Sequence, residues 1–432
     1  MKKVLIITYY WPPSGGAGVQ RWLKMSKYLP ELGWDPVIYT ALNAEYPVID
    51  KSLEKDVLPG IKVIRRPIWE PYSWYKRFTG QKQEEKVYSG FLTEEQPKSL
   101  TQELSIWIRG NFFIPDARCF WIKPSVKFLL HELSKNPVDA IISTGTPHST
   151  HLIAMALKEK LNIPWLADFR DPWTNIDFYD QLKLTRWADA KHHRLEKEVL
   201  TKADAVTTVS WHWAEELGKI GNRKVEVITN GFDEDDYQGA AVEVDKKFSI
   251  SHIGLLSADR TMTAFWKALQ QLCDENPAFK EDLVIRLVGK VDFEVFSEME
   301  RFGLMPHLEY LRYVPHEEAI KLQRKSAVLL LVLNNVPNVL GHIPGKLFEY
   351  LAAGRPILGI GNDDGDAAKI VGETGRGVFC GFSDTEQLKA EILVLYNFKM
   401  TMPKGFDTLS LTQYSRKQLA FKIIKYIEEN NS

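Results

Sequence analysis

Cysteine is scarce in this sequence. Cys119, Cys273 and Cys380 are the only 3 in 432 residues, widely spaced and odd in number. That argues against a disulfide framework and against a zinc site. An excess of one charge is also missing. Lys and Arg number 55 against 56 Asp and Glu, a net charge of −1, so no bulk field draws the chain to nucleic acid or to an anionic membrane. Long apolar runs are absent too: the longest obvious one, 327–333, is far shorter than a membrane span. Lys2, Lys3 and the apolar run 4–7 mimic a secretory leader, but the run is too short, and Tyr-Tyr-Trp-Pro-Pro stands where a cleavage site would be. The expected compartment is the cytoplasm.

Two phosphate-binding signatures are missing as well. The segment YYWPPSGGAGVQRW (9–22) joins an apolar run to a helical periodicity. Glycines in such a place bring backbone N–H groups to a phosphate. Yet Gly16, Gly18 and then Arg21 break the G-x-G-x-x-G fingerprint, and no Gly-Lys-Ser/Thr follows. Taken alone, the loop reads as a connector with a helix start.

What is present is a rhythm. Hydrophobic residues make up 44% and charged residues 26%, a globular composition in a chain long enough for two domains. Candidate strands fall at 4–9, 36–40, 62–66, 140–143, 165–168, 205–209 and 225–228, with helices at 19–32, 126–133, 149–160 and 189–201. A second series has strands at 248–253, 283–288, 308–313, 327–333, 356–361 and 377–380, with helices near 262–274, 294–301, 317–325, 347–353 and 367–373. Short apolar runs alternating with helices predict α/β architecture: two doubly wound, Rossmann-like domains, with the site at the carboxyl ends of the strands. The expected domains are 1–235, with an insertion at 67–124, and 245–411, with a final helical stretch at 412–432 crossing back to the first. The acidic 233–247 reads as the linker. The insertion contains the polar stretch 80–99 and continues into LSIWIRGNFFIPDARCFWIKP, rich in aromatics and Arg. A lid or binding loop is the usual use of such a segment.

The most informative stretch is GHIPGKLFEYLAAGRPILGIGNDDGD (341–366). Pro344 suits the first turn of a helix, and Gly345 lets a ligand approach the backbone. Lys346 adds charge where an anion would sit, and Glu349 lies on the same helical face, able to accept from sugar hydroxyls. The alternative is an ordinary surface Lys–Glu pair.

With PGKLFEYLAAGRPIL, the GGAG loop and the two-domain rhythm, the whole chain resembles a GT-B glycosyltransferase of the retaining family 4 type. It is most similar to a subgroup with a P-x-K-L-F-E-Y-L-A-A-G motif whose members often build surface polysaccharides. The resemblance implies two domains facing across a cleft. Gly15 and Gly16 would face the donor diphosphate, Arg260 in HIGLLSADR would meet the phosphates, and backbone near Val314 would lie by the nucleobase. Glu349 would bind ribose. The family typically carries another glutamate eight positions earlier, where this chain has Gly341, so only the ribose role carries over. His148 in STGTPHSTH matches a histidine that contacts the donor sugar, with His151 as competitor.

The expected function is transfer of a hexose from a nucleotide diphosphate sugar to a glycan or lipid-linked acceptor. Arg260, Lys346 and His148 would serve the chemistry, without metal or cofactor. Arg170 and Asp171 would bind acceptor or form a structural ion pair, while Trp107 and Arg118 of the insertion would contact the acceptor. The expected location is the cytoplasm, with weak peripheral contact at the inner face of the membrane. A nucleotide-sugar epimerase and a non-catalytic sugar-nucleotide-binding protein are the alternatives.

Overall fold

Strand Lys2–Ile7 (β1) alternates its side chains between two cores. Leu5 and Ile7 join one apolar cluster with Tyr39, Ile141 and Trp165, and Val4 and Ile6 join another with Trp22, Ile38 and Ile142. A strand buried on both faces belongs to a parallel sheet covered by helices. Around it run Trp34–Ala41 (β2), Lys62–Arg66 (β3), Ala140–Gly145 (β4), Trp165–Phe169 (β5), Ala205–Thr208 (β6) and Glu226–Val227 (β7), in the order β3-β2-β1-β4-β5-β6-β7. Every pairing is parallel.

The second sheet comprises Phe248–Ile253 (β8), Leu283–Val288 (β9), Leu308–Leu311 (β10), Val328–Val332 (β11), Ile357–Ile360 (β12) and Gly377–Cys380 (β13). Its order is β10-β9-β8-β11-β12-β13, again parallel throughout. The strand order reverses between β1 and β4 in the first sheet and between β8 and β11 in the second, the places where doubly wound sheets bind ligands.

This computed structural model describes residues 1–432 except 71–99, 238–241, 258–259, 261, 313, 337, 400–408 and 431–432. One unit comprises Met1–Thr229 with Arg416–Ser432, and the other Asn230–Ser415. The division at 229/230 precedes the expected linker. Residues Glu234–Tyr237 form a 3-10 turn of the second unit, where the Tyr237 hydroxyl donates to the Glu349 carbonyl at 3.1 Å. Part of the linker, 238–241, lies outside the described residues. Helix Arg416–Glu429 seats Leu419, Ile423, Ile424 and Ile427 in the cluster that holds Val4 and Ile6. Each such aliphatic side chain contributes about 1.5–3 kcal/mol on burial.

The polar stretch 80–99 lies outside the described residues. The described part of the insertion contains helix Leu100–Phe112 and the start of helix Cys119–Lys135. Helices Trp211–Gly221 and Thr385–Lys399 were not anticipated.

Candidate anion-binding site and its surroundings

In the second unit, β8 ends at Ile253 and the chain turns at Gly254 with φ 126°. A Cβ there would stand 2.8 Å from Lys346 Nζ, so glycine is needed both for the turn and for the space. Lys346 enters from the first turn of helix Gly345–Ala353, whose N-terminus follows Pro344 and has no side-chain cap. Its N–H groups therefore offer a positive helix end to a ligand. A Cβ on Gly345 would meet nothing within 4 Å.

Lys346 Nζ lies 3.2 Å from His252 Nε2, and among the described residues it makes no ion pair. His252 Nδ1 is 3.0 Å from the Leu330 carbonyl. Arg260 donates from Nε to Asn334 Oδ1 and from a terminal nitrogen to the Leu255 carbonyl, both at 2.8 Å. Burial pushes Lys346 down to about 7, helped by the Arg260 charge and opposed by Glu349. Burial, then Lys346 and Arg260, hold His252 well below its ordinary value, so its imidazole is neutral. Lys346 in the first turn of an uncapped helix, with the Arg260 charge bearing on it, is an arrangement suited to a phosphate anion.

Lys346 and Glu349 do not pair with each other. Glu349 Oε2 accepts from Gln323 Nε2 at 3.1 Å, and Gln323 Oε1 lies 3.3 Å from the Tyr237 hydroxyl. Glu349 is partly exposed, as is Val314. Sequence reasoning missed His252, Asn334, Gln323 and Tyr237. A signal existed for His252: it is a basic residue near the carboxyl end of a buried strand, two positions before a loop glycine.

At the switch point of the first unit, Gly15 donates its N–H to the Val48 carbonyl at 2.9 Å, and a Cβ would press on Val48 and Asp50. Gly16 has φ 85° and open space beside it, at the uncapped start of helix Ala17–Ser26. Of the two, Gly16 is exposed and Gly15 buried.

His148 follows β4. It is buried, stacks on Trp173 at 4.6 Å, and bonds to the Pro172 backbone. His151 stacks on Phe169, also at 4.6 Å, and its Nδ1 lies 2.8 Å from Ser143 Oγ. Burial keeps both rings neutral, with His151 lowered to about 3. Their remaining nitrogens, His148 Nδ1 and His151 Nε2, are buried without a hydrogen-bond partner. Both face Gly145, where a Cβ would lie 3.0 and 2.5 Å from them.

Three residues expected at the acceptor make contacts within the first unit. Arg170 gives its guanidinium to the carbonyls of Gly145, Gly18 and Thr146. Asp171 accepts from Thr146 Oγ1 at 2.7 Å, so these neighbours do not pair with each other. Arg118 is buried, 3.0 Å from Glu70 and over the ring of Tyr9. Only Trp107 meets the expectation of an accessible side chain, on a face it shares with Phe112. Trp121 is core, stacked on Tyr39. Among the described residues no three His, Cys, Asp or Glu side chains are grouped to hold a metal ion, NDDGD included. No helix among them is long and apolar enough to cross a membrane.

These two doubly wound units make up the GT-B fold. Residues 81–236 match the profile of Glycosyltransferase Family 4. No curated protein matches the chain. Among solved structures, a sucrose-phosphate synthase from Thermosynechococcus elongatus is similar with a TM-score of 0.64 at 13% identity, covering 99% of each chain. A lipopolysaccharide outer core galactosyltransferase in its apo form gives 0.58 at 12% identity, again over 99% of each. A UDP-GlcNAc 2-epimerase from Methanocaldococcus jannaschii gives 0.54 at 11% identity, also over 99% of each. Likenesses at these identities establish the fold. The family segment and the GT-B neighbours together support a glycosyltransferase.

Proposed function

We propose that the protein is a retaining hexosyltransferase that moves a sugar from a nucleotide diphosphate donor to a glycan or lipid-linked acceptor during bacterial surface-polysaccharide synthesis. The observation that carries this reading is Lys346 in the uncapped first turn of helix Gly345–Ala353, with the Arg260 charge bearing on it and Glu349 on the same helix. In this reading the helix start and the two cations hold the diphosphate. The nucleobase lies along the backbone near Val314. Glu349, already held by Gln323, accepts from the ribose hydroxyls.

The bond from the anomeric carbon to the phosphate oxygen breaks, and a bond to the acceptor oxygen forms on the same face. The acceptor proton passes to the departing diphosphate. Negative charge grows on that leaving group, and Lys346 and Arg260 stabilise it where it grows. The acceptor belongs to the first unit. There Trp69, Trp107, Phe112 and Phe120 are exposed and suit stacking on sugars or contact with a lipid headgroup region. Arg118, Arg170 and His148 hold that unit's loops in place.

The test is incubation with a panel of nucleotide sugars, scored by thermal shift and by mass of the products. Transfer, or slow donor hydrolysis, supports the proposal. An epimerised donor as the sole product would favour the alternative suggested by the epimerase neighbour, and binding without turnover would remove the enzymatic reading.

A further inference from the structure

Histidine at position 252 has no part in the reaction as written, yet it is fully buried and its ring meets the one lysine of the anion site. Its Nδ1 faces the Leu330 carbonyl at 3.0 Å. Donation there places the ring proton on Nδ1 and leaves a lone pair on Nε2 for Lys346. The Leu255 carbonyl, 3.2 Å from Nε2, offers the competing tautomer.

We propose that His252 is a positioning residue whose Nε2 lone pair holds Lys346 Nζ at the anion site, and that the site takes up a proton at Lys346 when a diphosphate enters. The inference rests on the donor-binding reading above and deepens it. Its geometry has three parts: the Nζ–Nε2 contact, the glycine at 254 that leaves room for Nζ, and the absence of an ion pair to Lys346 among the described residues.

Among the described residues, the charged and titratable groups facing Lys346 are His252 from β8, Arg260 from the following loop, and Glu349 from its own helix. Tyr350 stands on the same helix and bonds to the Ile253 backbone N–H at 2.9 Å. Burial and Arg260 disfavour the ammonium in the empty site. An entering diphosphate reverses that balance, because an opposite charge at contact raises a lysine. His252 holds the nitrogen in either state, since ammonium and amine both carry hydrogens to give.

The probe is UDP-glucose, whose diphosphate does not titrate across the window used, with GDP-mannose and sulfate as alternatives. Calorimetry in buffers of different ionisation enthalpy counts protons from about pH 6 to about pH 8.5. The expected uptake is small at the acid end and approaches roughly one proton per ligand at the other. Affinity should fall by up to about tenfold per pH unit above about 7. Lys346→Arg should bind without uptake and with a flat profile, because arginine stays charged.

His252→Phe keeps the volume and loses the acceptor. It should weaken binding about tenfold and move the midpoint of the pH profile to lower pH. His252→Gln, which offers an oxygen near the Nε2 position, should recover much of both. Ligand-free melting reports whether each variant folds. Binding without proton uptake by the wild type overturns the inference, as does a His252→Phe profile that coincides with it while donor binding stands. Failure of all three probes to bind overturns the anion-site reading and this inference with it.

Discussion

At the switch point of the first unit, Asp168 receives hydrogen bonds from Arg21, Trp22, Thr144 and Thr207, at 2.8–3.0 Å. Nearby, Arg118 rests against Glu70. At the switch point of the second unit, Lys346 meets a neutral imidazole instead. The folds are alike and the electrostatics opposite. The first unit pairs Arg21 with Asp168 and Arg118 with Glu70, and rests Arg170 on the carbonyls of Gly145, Gly18 and Thr146. The second leaves Lys346 without an ion pair among the described residues and beside the Arg260 charge, a cost to the empty protein that an anion would offset. A residue's type at a switch point therefore says little until its partner is known.

The largest expected effect breaks the first half of that contrast. Asp168→Asn leaves the Arg21 guanidinium buried beside a neutral amide. The loss of stability should be about 3–5 kcal/mol, read by denaturant unfolding. The pH dependence has a definite sign. The Arg21 charge and the hydrogen bonds outweigh burial and hold the Asp168 carboxyl below its ordinary value. Its contribution is fully present above the unfolded value of about 4 and is lost as pH falls through the folded value. The wild type should lose stability with acid in that window, and the Asn variant should lose less.

Next in size is Lys346→Ala, which should weaken nucleotide-sugar binding by about 1.5–3 kcal/mol, a loss of roughly ten- to 150-fold. Unchanged affinity and turnover would refute the phosphate placement. The second unit carries a pH signature of the same sign in an alkaline window, where the disfavoured charge of a lysine replaces the favoured charge of a carboxylate. Lys346 is lowered to about 7 when folded, against about 10.4 unfolded. Between these values the unfolded chain binds more protons, so ligand-free stability should rise with pH from about 7 to about 10. Lys346→Met should remove that rise in the thermal melts.

Glu349→Gln sharpens the contrast within the second unit. The amide can still meet Gln323, but it accepts more weakly from a ribose diol. Nucleotide binding should weaken by about 1 kcal/mol. Lost turnover with intact nucleotide binding would point to a chemical role instead.

Legibility in the sequence followed the same divide. Both sheets were readable, because strands buried on two faces are continuous apolar runs and the crossover helices between most of them keep a 3.6-residue period. Helix Thr385–Lys399 escaped because its apolar residues surround it: Leu388 and Ile392 are buried while Leu393, Val394 and Phe398 are exposed. The start of helix Cys119–Lys135 was hidden by Pro124, which reads as a breaker. The site was legible where its parts are local, as in the Lys346–Glu349 helix. For Arg118 and Arg170, expected at the acceptor, the sequence hid their partners, because Glu70 and the carbonyl of Gly18 are far away in sequence. Position along a strand end singled out His148, with His151 as its competitor, but only the packing shows that each buries an unpartnered ring nitrogen over Gly145.

The smallest expected effect on stability tests the proposed acceptor surface. Helix Leu100–Phe112 is fixed to the first unit through Asn111, whose side chain accepts from the Thr185 N–H at 2.6 Å and donates to the Lys183 carbonyl. Gly110 allows close approach there, since a Cβ would strike Leu184 at 2.8 Å and the Leu182 carbonyl at 2.9 Å. A helix anchored on that side presents Leu104, Trp107, Ile108 and Phe112 to solvent. Apolar side chains held in the open by a rigid anchor suit recognition better than folding. Because Arg118 is buried on Glu70, changing it would confound stability with acceptor binding. The informative pair is Trp107→Ala with Phe112→Ala. Stability should stay within about 0.5 kcal/mol of wild type, as for exposed sites generally. Donor hydrolysis should be unchanged while transfer to a lipid-linked or oligosaccharide acceptor falls several-fold. Equal transfer by variant and wild type would leave this face without a role in the acceptor and would reduce the contrast between the two units to their buried charges.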